Sequence, residues 1–240
     1  MILGACAPLS REEQRNGAGN HLPGIKEPDL TICSACSREE AVQWARDGER
    51  DAGYALKAAN CYIFLVKTGA EKASRLADAR TGRQLAEGAV LRQPGSGLAH
   101  YLYAYLTGLE AENDPLHGLE LVPVIEREAR LAAELRPSID HAGPDRMLGE
   151  LYLRAPGIPV SIGDVEKAIV SYRRAVGLVP GFADNRLGLA EALLEGEEAT
   201  EACLELHRLL SDMPPDTAFE ATWQHALDLL KRVCAAKNGD

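Results

Sequence analysis

Ala168-Ile-Val-Ser-Tyr172-Arg-Arg-Ala175-Val-Gly-Leu-Val-Pro180 decides the fold. Steps of four and three residues put Ala168, Tyr172 and Ala175 on one face of a helix, and the small members of that face let a second helix approach closely. Five residues on, Pro180 withdraws a backbone donor and disfavours helical geometry at the residue before it, so the helix must stop. The same four, three, five spacing recurs in Gly82, Ala86, Ala89, Pro94, in Ile125, Ala129, Ala132, Pro137, and in Ala202, Leu206, Leu209, Pro214. Four proline-terminated helices with one small or apolar face each read as an array of similar units. The prolines stand 43, 43 and 34 residues apart.

A partner helix precedes each of the last two. Leu148-Gly149 with Tyr152, and Leu189-Ala190 with Leu193, each give a large residue, a small one directly after it and a second large one three further on. This pattern resembles the tetratricopeptide family, whose 34-residue period equals the last proline interval. The resemblance implies an all-α, tetratricopeptide-like solenoid of antiparallel helix pairs over 38–240. The first two units are eroded, with first helices near Glu39 to Lys67 and Leu98 to Ala111 that lack the full pattern. Past Pro214-Pro215, Thr217 to Cys234 reads as a C-terminal capping helix with Phe219, Trp223, Leu227 and Leu230 at helical spacing.

Composition agrees with helix packing, since aromatics are only 5% of the chain. The 36 acidic residues outnumber 26 Lys and Arg, for a net charge of −10, which repels a phosphate backbone and speaks against a nucleic-acid partner. No apolar run reaches the roughly 18 to 20 residues that cross a bilayer. The longest, Cys61 to Val66, suits a buried helix face.

Residues 1–37 have a different character. Leu3-Gly4-Ala5-Cys6 resembles the lipobox of bacterial lipoproteins, which implies lipid attachment at Cys6, although only five residues precede that cysteine. From Ala7 to Leu30 the chain is rich in Pro, Gly and Asn without apolar periodicity, as expected of a flexible tether. The alternative is a genuine Met1, an unmodified Cys6 and a cytosolic adaptor of the same fold. Cys33-Ser-Ala-Cys36 is a CxxC open to three readings: redox activity, half a metal site, or a structural disulfide. A thiol-disulfide protein working through Cys33 and Cys36 is therefore a third reading of function, and the pairing of Cys61, Cys203 and Cys234 stays open.

A second resemblance covers about a third of the chain. His141-Ala-Gly-Pro-Asp-Arg146, Leu148-Gly-Glu-Leu-Tyr-Leu-Arg-Ala-Pro-Gly157, Pro159, Ser161, Gly163-Asp164, Asn185-Arg186 and Leu189-Ala-Glu-Ala-Leu193 are similar to bacterial envelope proteins near the T component of tripartite (TRAP) transporters. That family consists of lipid-anchored, periplasm-facing helical-hairpin proteins thought to associate with a substrate-binding protein and pass on a small ligand. The resemblance makes Cys6 the anchor and the solenoid the ligand or partner surface.

Tetratricopeptide-like arrays bind along the groove lined by the first helices of each pair. Arg146, Glu150 and Arg154 recur every four residues on one such helix and would present guanidinium groups to a carboxylate, unless they form an intrahelical Arg and Glu ladder facing water. Tyr101 and Tyr105 share a helical face and would stack on a ligand, the competing reading being core. Ala155 to Asp164 is longer than a hairpin needs and stiffened by two prolines and two glycines, with Ser161 available for contact and Asp164 placed to cap the next helix. Asp140, His141 and Asp145 read as a helix start with capping acids.

No catalytic residues are assigned. The histidines at 21, 100, 117, 141, 207 and 225 never pair at i, i+4, and no phosphate loop or nucleophile elbow occurs. The sequence thus points to a non-enzymatic scaffold without cofactor or metal, binding a protein partner or small ligand, with homo-oligomerisation left open.

Overall fold

A computed structural model describes residues 28, 30–212 and 220–234. Cys6 and its lipobox, nearly all of the tether, and Pro214 to Phe219 lie outside the described residues. The described chain is all-α, and it divides into two compact units, Met1–Met147 and Leu148–Asp240. The first holds α1 (Arg38–Asp47), α2 (Ala52–Thr68), α3 (Lys72–Arg92), α4 (Gly97–Asn113), α5 (Gly118–Leu135) and the start of α6 (Ile139–Arg154). The second holds the rest of α6, then α7 (Val165–Leu178), α8 (Ala183–Glu195), α9 (Ala199–Asp212) and α10 (Glu220–Val233). Within the first unit, each of α1 to α4 packs on the next in sequence, and α2 also meets α4. Within the second, α7 meets α8, α8 meets α9, and α10 closes on both α8 and α9. Sequential helix packing of this kind fits a helix-pair repeat array.

All twelve non-proline residues of the four spaced motifs are buried. The proline acts as the spacing predicts. Gln93, Arg136 and Val179, each directly before a motif proline, leave helical geometry at φ/ψ of −136/69, −150/71 and −136/78. Each still donates its N–H to the carbonyl of the last small motif residue, Ala89, Ala132 or Ala175, at 2.8 to 2.9 Å, so the helix closes its final turn on the small face before the chain turns away.

Three expectations change. The segment near Glu39 to Lys67 is two helices: Ser37 starts α1 with a reciprocal capping box to Glu40, and Asp51 restarts the chain by accepting from Gly53 N–H. Between them Gly48 sits where a Cβ would lie 2.8 Å from Ala55 Cα, so only glycine permits this close turn. Asp140 and Asp145 do not cap a regular helix start. Asp140, His141 and Ala142 are all left-handed, with φ of 49, 56 and 64°, at about 1–2 kcal/mol per residue. Arg146 holds this turn by donating to the carbonyls of Asp140 and His141 at 3.1 Å each and to the Asp140 carboxylate at 2.9 Å. Lastly, α10 half-buries the expected Trp223, Leu227 and Leu230 but buries most deeply Ala226 and Leu229, which the spacing did not single out.

Two disulfides join distant parts of the sequence. Cys36 is bonded to Cys61 of α2, and Cys203 of α9 to Cys234 just past α10. Cys33 is disulfide-bonded as well. The CxxC therefore does not close on itself. Cys33 turns away at φ 60°, its N–H held 2.8 Å from the Asn60 side chain, while Cys36 reaches α2. Disulfides of this kind suggest an oxidising, extracytoplasmic compartment. No described helix is long and apolar enough to cross a membrane.

Candidate functional site

The residues singled out in the sequence fall into two environments. In the first unit, Tyr101 is fully buried and Tyr105 nearly so, their rings meeting edge to face with centroids 5.8 Å apart. The Tyr101 hydroxyl donates to the Asp140 carboxylate, and burial pushes the phenol well above its ordinary pKa, so it stays a neutral donor. A Cβ on Gly143 would lie 2.3 Å from the Tyr101 oxygen, which fixes glycine there. Tyr101 and Arg146 hold the left-handed turn together from inside, and both tyrosine rings are buried in the core.

The second unit carries a surface. Glu150 of α6 is mostly buried, and burial raises its pKa, opposed by two partners: the Tyr172 hydroxyl at 2.8 Å and the Arg154 guanidinium at 3.3 Å. Arg154, with 52% of its side chain exposed, also donates to Glu191 of α8 at 2.7 Å. The other Glu191 oxygen lies 2.9 Å from His225 Nε2 of α10. A chain of alternating charge thus runs from α6 across α8 to α10, the first helices of successive pairs and the capping helix. Close approach makes this possible: Cβ atoms on Gly149 and Gly188 would lie 2.6 and 2.1 Å from the Tyr172 ring, so the ring is clamped between two glycines.

Beside Arg154 the chain enters the loop between α6 and α7. Its backbone is tied at several points: Val160 N–H to Gly157 O at 3.0 Å, Gly163 N–H to Pro156 O at 2.9 Å and Asp164 N–H to Tyr152 O at 2.9 Å. Gly163 has no room for a side chain, a Cβ there falling 2.0 Å from Ala155 O. Asp164 caps α7 by accepting from Lys167 N–H at 3.0 Å. The loop tip is apolar and open to water, with Ile158 85% and Val160 67% exposed, while Ser161 is half-buried. A tied loop that shows branched apolar side chains pays little ordering entropy on contact.

Of the predicted residues, the structure joins Glu150 and Arg154 through the intrahelical ladder, and puts Ser161 in the adjoining loop. Arg146 instead turns to Asp140. The sequence reading missed Tyr172, Glu191 and His225 as members of this chain. Glu191 directly follows the Leu189-Ala190 pair, and its place on a first helix was the available signal. Neither a model of a known protein family nor a curated protein matches the chain. The surface is read from its own chemistry.

Proposed function

We propose that this protein is a non-enzymatic scaffold of an oxidising compartment that binds another protein through its second unit. The observation that carries the reading is the tied loop with Ile158 and Val160 exposed at its tip beside the Arg154 and Glu191 ladder, an apolar contact with a charged rim. Every charge in the ladder already has an internal partner, which favours a protein surface over a small anionic ligand, since a free carboxylate would have to displace Glu191 from Arg154. The bacterial envelope is the compartment that the lipobox-like Leu3 to Cys6 suggests, and association with a tripartite transporter is the form suggested by the resemblance of Pro137 to Glu195.

Binding is tested by Ile158→Asp with Val160→Asp, which should abolish recovery of a partner captured by in-cell cross-linking while leaving the far-UV spectrum unchanged. Recovery of that partner at the wild-type level would sink the reading. Anchoring is tested separately by detergent phase partitioning of the full-length product with and without Cys6→Ser, together with the mass of the Cys6 peptide. Acylation and a disulfide compete for the same sulfur, so a Cys6 found in a disulfide removes the anchor and leaves the scaffold.

A further inference from the structure

The last helix is held lightly except at one point. Only Ala226 and Leu229 of the 14 residues in α10 are buried, against seven of 13 in α8. Beneath them lies a groove floored by Ala190 of α8 and Leu206 and Leu209 of α9, three side chains with no exposure while α10 is in place. Among the described residues, two polar contacts tie α10 to α8, Thr222 Oγ1 donating to Asp184 at 2.7 Å and His225 meeting Glu191 at 2.9 Å. The remaining link is covalent, Cys234 to Cys203. Both of these cysteines are half-exposed; Cys36 is half-exposed too, but its partner Cys61 and Cys33 are buried, so the α10 bond offers a dissolved thiol two open sulfurs and Cys36–Cys61 only one.

We propose that the groove between α8 and α9 is a helix-binding groove, occupied in cis by α10, latched by Cys203–Cys234, and open to α10 of a second copy once that bond is cut. The occupant is fixed by what the structure already seats there. A helix that enters must bring one aromatic, one small and two branched apolar residues to a single face, as Trp223, Ala226, Leu229 and Leu230 do, with hydrogen-bond donors for Asp184 and Glu191. The segment that meets these demands is α10 itself, so an opened molecule exchanges helices with its neighbour. Opening is a two-electron reduction: a thiolate of an external dithiol attacks one sulfur, the second thiol resolves the mixed disulfide, the dithiol leaves oxidised, and Cys203 and Cys234 are left as thiols. While the bond is closed, α10 is tied at both ends, by the main chain before it and by Cys203–Cys234 after it; cutting the bond leaves only the first tie and lowers its effective concentration in the groove.

The test uses the full chain, wild type and Cys203→Ser with Cys234→Ser, and a fluorescent peptide copying residues 217–233. The doubly substituted chain should bind the peptide at least tenfold more tightly than the oxidised wild type, and Leu229→Asp in the peptide should remove that gain. Wild type in which a phosphine has opened Cys203–Cys234 alone, verified by peptide mapping, should behave as the variant does, which covers the case of a variant that folds poorly. Amide exchange across 220–233 should quicken in both opened forms while 183–212 stays protected. No gain in peptide binding by either opened form overturns the proposal, whatever the exchange rates show.

Discussion

In the first unit α4 buries fifteen of its 17 residues, the three tyrosines among them, whereas α8 in the second keeps Arg186, Leu187, Glu191 and Leu194 partly open to water. The two helices hold the same position in their pairs, ahead of a helix with the small-residue motif. They differ in surroundings: α4 is packed by α2, α3 and α5, and so has no solvent face to pattern. A helix that is covered all round loses amphipathic periodicity, because every position is a core position. The erosion of the early repeats is the sequence image of that burial. It also relocates the working surface, since the side chains that made the first unit look distinctive are spent on holding it together.

If burial on all sides distinguishes the units, the close contacts of the second should be the less forgiving. Gly188→Ala drives a Cβ to 2.1 Å from the clamped Tyr172 ring and should cost about 3 kcal/mol. Gly82→Ala meets the flexible end of Leu106 at 2.7 Å as well as Tyr62 Cβ, and should cost about 1–2 kcal/mol. Urea unfolding of both variants checks this, and the reverse order would show that the first unit is the tighter one. Next in size come the two hydroxyls that serve a half-buried carboxylate, Asp140, and a buried one, Glu150. Tyr101→Phe and Tyr172→Phe should each cost about 2 kcal/mol, the first loosening the left-handed turn at Asp140 and the second leaving Glu150 with a single donor.

The units should also part in their response to pH. His100 of α4 has an acceptor at each ring nitrogen, Glu128 at 2.5 Å and Pro94 O at 2.9 Å, so only the imidazolium donates to both. Burial works against that charge, but the Glu128 hydrogen bond and the Pro94 carbonyl outweigh it and raise the pKa above its ordinary 6.5. Burial likewise opposes charge on Glu128, and the hydrogen bonds from His100 and Arg127 overcome it, lowering its pKa from 4.5. A raised histidine gives stability that is complete below 6.5 and lost as pH climbs through the folded-state value, while the lowered glutamate gives stability present above 4.5 and lost as pH falls through its own. The pair therefore stabilises most between those limits. Denaturation midpoints at pH 6 and pH 9 should fall for the wild type and change less for His100→Gln. Equal slopes would show that the pair is electrostatically silent.

Smallest are the surface effects. Glu191→Gln breaks exposed pairs and should move stability by under about 1 kcal/mol, less in high salt. Gly88→Ala, a helical site with nothing near its added Cβ, should gain about 0.5–1 kcal/mol.

The prolines at 94, 137 and 180 made three helix ends legible, because the residue before each leaves the α region by local sterics alone. Ala86, Ala129, Ala168 and Ala202 made the buried faces legible by the same local logic. The left-handed turn at Asp140 to Ala142 was not legible, for no glycine marks it until Gly143, and besides the nearby Arg146 its support comes from Tyr101, 39 residues away. The ladder was half legible: Glu150 and Arg154 follow from helical spacing, but Tyr172, Glu191 and His225 join only through tertiary packing. Disulfide partners 25 and 31 residues apart were hidden for the same reason.

The central claim is that the regular second unit makes the contact while the irregular first unit stays structural. Photo-cross-linking residues placed in turn at Ile158, 85% exposed, and at Leu116 of the first unit, 90% exposed, test it at matched accessibility in cells that express the full chain. A discrete protein adduct from position 158 and none from 116 is the predicted result. An adduct from 116 alone would contradict it.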